Sequence, residues 1–181
     1  DNTLCICDGA GTLKWSTTGT SFVDGTLAPI ATSLEQYQNR IYASGTASDL
    51  FYSTTGDATN WNTSGTSDSS SFKIPGAGKI SKILKNNDRL VAIKANGAMF
   101  RWDGYTLLDM ATELGPTSPQ SPAQVEGYYM WLNRLGIFGY GGDKPQILSN
   151  PIQRQIYNTS GSAIAGSVFN TAPGEVHRLS L

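Results

Sequence analysis

Acidic side chains are the first residues that could do chemistry, because two carboxylates about 5–9 Å apart can hydrolyse a glycosidic bond. The candidate acids are Asp49, Asp57, Asp103, Asp109, Glu126 and Asp143. Nearly all of them stand beside Gly or Asn at predicted turns, where an Asp side chain hydrogen-bonds its own backbone. The sequence therefore predicts turn caps at these positions. A glycosidase would require at least two acids and an Arg to meet in one pocket.

Two similar polar stretches, "WSTTGTSF" (15–22) and "YSTTGDATNW" (52–61), suggest a second kind of site. Ser53 and Trp61 resemble part of the Asp-box of sialidases and related propellers, although Thr55 stands where that motif has Asp. In that family the box is a structural hairpin on the outer rim, away from the catalytic centre. The resemblance therefore implies a corner of a scaffold.

Phosphate, metal and nucleophile sites are not predicted. In "GAGKIS" (76–81), Ile80 stands where a phosphate loop has Ser or Thr, and no strand-to-helix pattern follows. His177, the only His, has no Ser or Cys partner with a nucleophile pattern. Cys5 and Cys7 share one face of a predicted strand, where a disulfide would be strained, so we expect two free, partly buried thiols. We expect no cofactor, no metal site and no enzymatic activity.

Aromatic side chains are the remaining candidates, because rings at strand-connecting turns can stack on sugars or contact another protein. Tyr52, Trp102 and Tyr140 lie on predicted strands, where we expect them to form a core between neighbouring sheets. Trp61 and Tyr105 lie at predicted turns and are the two candidate contact residues.

The elements that must position these residues repeat along the chain. Four segments share a strand–turn–strand–turn–strand plan: 4–27, 40–61, 89–110 and 128–148. Aligning their aromatic-rich strands places four residues at equivalent positions: Lys14, Phe51, Phe100 and Phe138. The Ser/Thr/Gly-rich insert at 62–71 lengthens the second unit and is a loop by composition. A repeat of roughly 40–50 residues with about four short strands predicts the blades of a β-propeller.

The predicted fold is therefore all-β: a β-propeller, or an arc of one, with about four blades of four short antiparallel strands each. The units are about 1–29, 30–78, 79–121 and 122–150, with a partial unit at 159–181, in a single propeller domain over 1–181. The innermost strands are predicted at 30–37, 79–85 and 122–127. One short helix is predicted near 150–157, with Pro151 at its first position.

Two details of this plan depend on local sequence. Asn96-Gly97 lies between two apolar strands and predicts a type I′ hairpin turn, since both residues tolerate a positive φ. Strands predicted at 163–170 and 176–181 leave two architectures open. Either the C-terminal strand completes the first blade and closes a small four-bladed ring, or the chain is an arc of a larger propeller.

Composition narrows the range of partners. Only 15% of the 181 residues are charged and the formal net charge is −1, so we expect neither nucleic acid nor a membrane as a partner. No apolar run approaches the roughly 18–20 residues of a membrane span. The opening "DNTLCICDGAG" is typical of the middle of a strand-rich domain, and we expect the chain to be a segment of something longer.

A resemblance to a known class of proteins covers residues 36–156. The stretch "NRIYASGTASDLFYSTTGDATNW" followed by "KISKILKNNDRLVAIKANGAMFRWDG" resembles an arrangement that recurs in structural proteins of tailed bacteriophages. The later "GIFGYGGDKPQILSNPIQRQI" is similar to the matching element of those proteins, a strand and turn that lead into a short helix. They are tail, head-to-tail connector or stabilisation proteins built on a β-propeller.

This resemblance implies a non-enzymatic virion structural protein, a propeller module of a phage tail or connector that makes protein–protein contacts. Its expected partners are other virion tail or connector proteins and further copies of itself. Its expected location is the virion, assembled in the host cytoplasm. The alternative is a carbohydrate-binding propeller, an adhesin or lectin that uses exposed aromatic residues at the blade tips.

Overall fold

The structure is a computed structural model that describes residues 3–65, 67–119, 121–125 and 127–149, together with the backbone of 166–170 and 175–179. The regular secondary structure of these residues is β-strand, as the apolar alternation and the Gly-containing turns predict. The helix predicted near 150–157 lies outside the described residues. In the part of the chain that is described, no helix is long and apolar enough to cross a membrane.

The described strands form four antiparallel sheets of three or four strands and one two-stranded pair. The first sheet consists of β1 (Leu4–Ile6), β2 (Lys14–Ser16) and β3 (Val23–Asp24). The second consists of β4 (Ser33–Tyr37), β5 (Arg40–Ser44), β6 (Asp49–Tyr52) and β7 (Ser70–Lys73). The third consists of β8 (Ile80–Asn86), β9 (Arg89–Lys94), β10 (Met99–Trp102) and β11 (Leu107–Ala111). The fourth consists of β12 (Ala123–Val125), β13 (Tyr128–Asn133), β14 (Gly136–Tyr140) and β15 (Gln146–Ile147), and the final pair of β16 (Gly166–Asn170) and β17 (Glu175–Leu179).

The all-β prediction is confirmed, and neighbouring strands in every sheet are consecutive in the chain. The strands predicted at 30–37, 79–85 and 122–127 correspond to β4, β8 and β12, each at the start of its sheet. The first sheet starts with β1, the equivalent of β5, and therefore has three strands among the described residues. β16 and β17 pair with each other, and β16 lies beside β12. The described C-terminal strand thus does not complete the first sheet.

Each successive pair among the first four sheets shares a hydrophobic core. Phe51, Phe100 and Phe138 each pack toward the preceding sheet, in agreement with their predicted equivalence. The residues just before the first two aromatics, Leu50 and Met99, are fully buried toward the following sheet. This alternation follows from the two-residue period of a strand. Fully burying one such side chain contributes about 1.5–3 kcal/mol.

The first sheet departs from this pattern at one position. Lys14 occupies the place of the three phenylalanines, and its Nζ lies 2.6 Å from Oδ1 of Asp24, with both side chains largely exposed. Leu13 just before it is fully buried against the second sheet, as the other sheets would predict. A charged pair is therefore accommodated where no preceding sheet covers the position among the described residues.

The turn predicted at Asn96-Gly97 is present, but its predicted type is wrong. The Gly97 N–H donates to the carbonyl of Lys94 at 2.9 Å, so Ala95 and Asn96 are the central residues. Only Gly97 has a positive φ, +83°, which is the geometry of a three-residue loop with a bulge. Gly97 is required there because an added Cβ would lie 3.1 Å from the Cα of Glu113.

Candidate functional site

The corner hairpin "YSTTGDATNW" directly follows β6, the third strand of the second sheet. The buried hydroxyl of Ser53 accepts the Ile41 N–H at 3.0 Å. Gly56, with φ +76°, donates its N–H to the carbonyl of Asn39 at 2.7 Å. The related stretch in the first sheet also turns at a glycine with φ +76°, Gly19, but there the buried hydroxyl of Ser16 accepts the Gly19 N–H itself, at 2.9 Å. Both copies make a corner.

Two residues of the insert contact this corner: the hydroxyl of Ser67 lies 2.6 Å from that of Thr54, and Asp68 contacts it through its carboxylate. Oδ1 of Asp68 accepts the Thr55 N–H at 3.0 Å, and Oδ2 accepts the Thr55 hydroxyl at 2.7 Å. Hydrogen bonds from Thr55 hold the pKa of Asp68 below its usual range. Arg40 donates to the same carboxylate at 2.7 Å and lies 5.0 Å from the centre of the Tyr52 ring. Arg40 therefore serves the scaffold.

Trp61, one of the two predicted contact residues, is only 4% exposed. Its indole N–H donates to the carbonyl of Ala58 at 3.0 Å. The ring packs with Leu13, Ala31 and Ala43 in the core between the first and second sheets. The ring is therefore buried and is not available at the surface for contact with a partner. A Trp at a polar turn looks exposed in the sequence, and only the folding of the hairpin over the sheet junction buries it.

Tyr105, the other predicted contact residue, is 90% exposed. The carboxylate of Asp103 holds the turn beneath it by accepting the Tyr105 N–H at 2.9 Å and the Thr106 N–H at 2.7 Å. These two backbone hydrogen bonds lower the pKa of Asp103. Gly104 completes the turn with φ +102°. A firmly held turn thus presents a free aromatic ring to solvent.

The three aromatic residues predicted for the core are found there. Tyr140 is fully buried between the third and fourth sheets. Tyr52 and Trp102 are half-buried and pack against the core between the second and third sheets. The Trp102 ring lies 4.5 Å from that of Phe72, centre to centre. The prediction of an aromatic core between sheets is therefore confirmed.

Five of the six candidate acids are described: Asp49 and Asp57 belong to the second sheet and its corner, Asp103 and Asp109 to the third sheet, and Asp143 to the fourth, whereas Glu126 lies outside the described residues. Asp57 and Asp103 cap their own turns, since Asp57 accepts both the N–H and the hydroxyl of Thr59 at 2.9 and 2.7 Å. Of the five candidate acids that the structure describes, Asp143 lines a cleft of about 410 Å³ on the fourth sheet. Its lining residues are Tyr128, Met130, Gly139, Gly141, Asp143, Lys144, Gln146 and Leu148. The described acids therefore do not form a pair of carboxylates in this cleft.

The two cysteines are free, half-buried thiols, as predicted. Burial raises the pKa of both, and the charge of Asp8 adds to the effect on Cys7. Both pack against the core between the first and second sheets. Across the described residues, no group of three or more His, Cys, Asp or Glu side chains could hold a metal ion.

Two buried polar residues at the junctions between sheets are not predicted by the sequence pattern. Lys94 ends β9 and Asn133 ends β13, at equivalent places in the third and fourth sheets. The Asn133 amide donates to the carbonyls of Glu113 and Gly115 at 3.0 and 2.6 Å, within the segment that crosses from the third sheet to the fourth. The repeat alignment was the available signal, because it places both residues at the ends of equivalent strands.

No protein-family model and no curated protein matches the chain. A similar solved structure is that of the computationally designed Ika8 protein, with 15% sequence identity and a TM-score of 0.48. The match covers 78% of this chain and 43% of that one, so the chain spans less than half of the designed protein's length. The described residues define an all-β protein of serially packed antiparallel sheets.

Proposed function

We propose that the chain is a non-enzymatic structural protein of a phage virion, a propeller module of a tail or head-to-tail connector that makes protein–protein contacts. In this proposal the sheets are blades of an open arc or a ring, and the module assembles with further copies and with other tail or connector proteins. The segments that resemble phage structural proteins support it. Arg40 and the Ser/Thr corner lie in those segments, and their polar groups serve the scaffold.

One observation carries the proposal of a protein partner. Among the large hydrophobic side chains that are exposed, six come from the first thirty residues: Leu4, Ile6, Phe22, Val23, Leu27 and Ile30. Two of them, Leu4 and Ile6, share one face of the first sheet with the Lys14–Asp24 ion pair, as the strand register indicates. Exposed apolar side chains beside polar groups are typical of protein–protein interfaces. This face of the first sheet is therefore the surface that we assign to a neighbouring virion protein.

The test combines particle analysis with surface variants. We expect mass spectrometry of purified phage particles to detect the chain, and light scattering to show that it assembles with copies or with tail proteins. The double variant Leu4→Ser, Ile6→Ser should weaken that assembly by about tenfold or more, because burying one such side chain contributes about 1.5–3 kcal/mol and about 1.4 kcal/mol is a tenfold change in affinity. The double variant Leu108→Ser, Leu135→Ser is a matched control, because both leucines are similarly exposed but lie in other sheets. A monomer that never assembles with tail components would refute the proposal.

Carbohydrate binding is a second candidate function, and the exposure of Tyr105 favours it. A ring on a turn held by Asp103 loses little freedom when it stacks on a sugar. The informative variant is Tyr105→Ala on a glycan array, with Tyr128→Ala as the control for another exposed tyrosine. Trp61→Ala is unsuitable because it removes a buried ring. Binding that is lost only in Tyr105→Ala would support a lectin, and an array without signal would eliminate this function.

A further inference from the structure

Lys94 is a charged side chain that the fold buries almost completely, with 1% of its surface exposed. Its ammonium group donates to the carbonyls of Pro75 and Gly76 at 2.8 and 2.5 Å, and to that of Ile74 at 3.2 Å. The Ser48 hydroxyl oxygen is a fourth partner at 3.2 Å. The ion pairs formed by the described residues involve Lys14 and Arg40, so this ammonium is held by neutral oxygens alone.

The oxygens around Lys94 are held in place by other parts of the chain. The Ile74 N–H donates to the carbonyl of Ser48 at 2.8 Å, and the Ser48 hydroxyl donates to the carbonyl of Gly78 at 2.9 Å. Gly76 and Gly78 have φ of +81° and +84°, conformations that a glycine adopts without strain. The segment that crosses from the second sheet to the third thus has hydrogen bonds of its own besides those to the lysine.

We propose that the carbonyls of 74–76 and the Ser48 hydroxyl form a preorganised binding cage for a primary ammonium group, which Lys94 fills as a tethered ligand. A primary ammonium has three N–H donors and no acceptor, which matches a set of oxygens that all accept. Backbone carbonyls that replace the hydration shell of a cation are the usual oxygen ligands for monovalent cations. Because all of its oxygens act as acceptors toward the bound group, the cage excludes anions.

The equivalent position in the next sheet shows what is specific to this cage. Asn133 also ends the second strand of its sheet and also donates to carbonyls of a crossover segment. It contacts two carbonyls there, those of Glu113 and Gly115, with a neutral amide. The general feature is a buried donor that secures the crossover. A charged donor with four oxygens is particular to Lys94.

The test uses Lys94→Ala, which leaves room for n-propylammonium to supply the missing three carbons and nitrogen. Thermal unfolding is followed in n-propylammonium chloride and in tetramethylammonium chloride, which has no N–H donor, at equal ionic strength. We expect the melting temperature of the variant to rise only with propylammonium, along a saturating curve. At ten times its dissociation constant the probe should raise the ratio of folded to unfolded protein about elevenfold. The unmodified chain should respond equally to both salts.

Asn133→Ala is the matched control, because it removes a buried donor from the equivalent position without a cationic cage. It should respond equally to the two salts. Equal responses of Lys94→Ala to both salts would overturn the proposal, and so would a propylammonium effect of the same size in Asn133→Ala. If Lys94→Ala does not fold in tetramethylammonium chloride, cooperative unfolding restored by propylammonium supports the cage. Failure to fold in both salts refutes it.

Discussion

The junction between the second and third sheets and the junction between the third and fourth sheets make the same backbone contact with different residues. Ala92 and Lys94 of β9 are equivalent to Trp131 and Asn133 of β13, as the strand register shows. At the earlier junction one long cation reaches the crossover segment. At the later junction two neutral donors do so, because the Trp131 indole N–H also donates to the carbonyl of Leu114 at 2.8 Å.

The two solutions have different energetic consequences. Burial lowers the pKa of the Lys94 ammonium, which reflects the cost of removing a charge from water. The Trp131–Asn133 pair carries no such cost and adds a large buried ring to the core. At both junctions a buried side-chain donor therefore contacts backbone carbonyls of the segment that joins the two sheets. The donor is charged at the earlier junction and neutral at the later one.

Replacing Trp131 should break the later junction most severely. Trp131→Ala removes a fully buried ring that stacks on Phe138 at 6.3 Å, together with its hydrogen bond to Leu114. We expect a loss of about 3–5 kcal/mol in the free energy of unfolding, measured by urea denaturation. The equivalent change in the third sheet, Ala92→Gly, removes one methyl group and should cost about 1 kcal/mol. Equal losses would contradict the difference between the junctions.

Removing the charge at the earlier junction is expected to have the next largest effect. Lys94→Met keeps much of the side-chain volume and leaves the oxygens of the cage without their donor. We expect a loss of about 2 kcal/mol, because unpaired acceptors outweigh the relief of the buried charge. Urea denaturation at neutral pH measures it. A variant more stable than the unmodified chain would show that the cost of burying the charge is larger than the cost of leaving these oxygens unpaired.

The tyrosines of the two junctions predict a response to alkaline pH. Tyr129 donates its hydroxyl to the carbonyl of Lys85 at 2.7 Å, and burial raises its pKa to about 12. Since the folded pKa lies above the ordinary value, stability is fully present below pH 10 and is lost as the pH rises toward 12. Tyr129→Phe should reduce this loss by about 1 kcal/mol at pH 11.

The measurement is the urea midpoint at pH 8 and at pH 11. Tyr105→Phe is the control, because it removes the same hydroxyl from an exposed ring. Tyr37 makes a hydroxyl-to-carbonyl contact at the earlier junction, to the carbonyl of Asp88 at 2.6 Å, and burial raises its pKa as well. Tyr37→Phe should therefore act in the same direction. If neither variant reduces the loss of stability between pH 8 and pH 11, groups other than these two tyrosines cause that loss.

The smallest effect is expected for the neutral donor of the later junction. Asn133→Ala leaves the carbonyls of Glu113 and Gly115 unpaired, but the Trp131 indole still holds the neighbouring carbonyl of Leu114. We expect a loss of about 1 kcal/mol in urea denaturation. A loss larger than that of Lys94→Met would mean that the two neutral donors act as one unit.

Much of the scaffold could be predicted from residue pattern. The equivalence of Phe51, Phe100 and Phe138 follows from strand periodicity and chain order, which are local properties. Trp61 was misplaced because its burial depends on a hairpin folding over a neighbouring sheet. Asn96-Gly97 was assigned the wrong turn because the register of β9 and β10 makes Ala95 and Asn96 the central residues.

The all-β class, the strand order within each sheet and the faces that carry aromatic residues follow from the amino-acid sequence, because apolar alternation and turn residues act over a few positions. Which polar groups are buried follows from the packing of the sheets. Lys94 acquires its cage from residues 18 to 46 positions away, and Tyr105 remains exposed because no described element covers its turn. Burial is a property of surfaces brought together across the chain, so it depends on how the sheets pack.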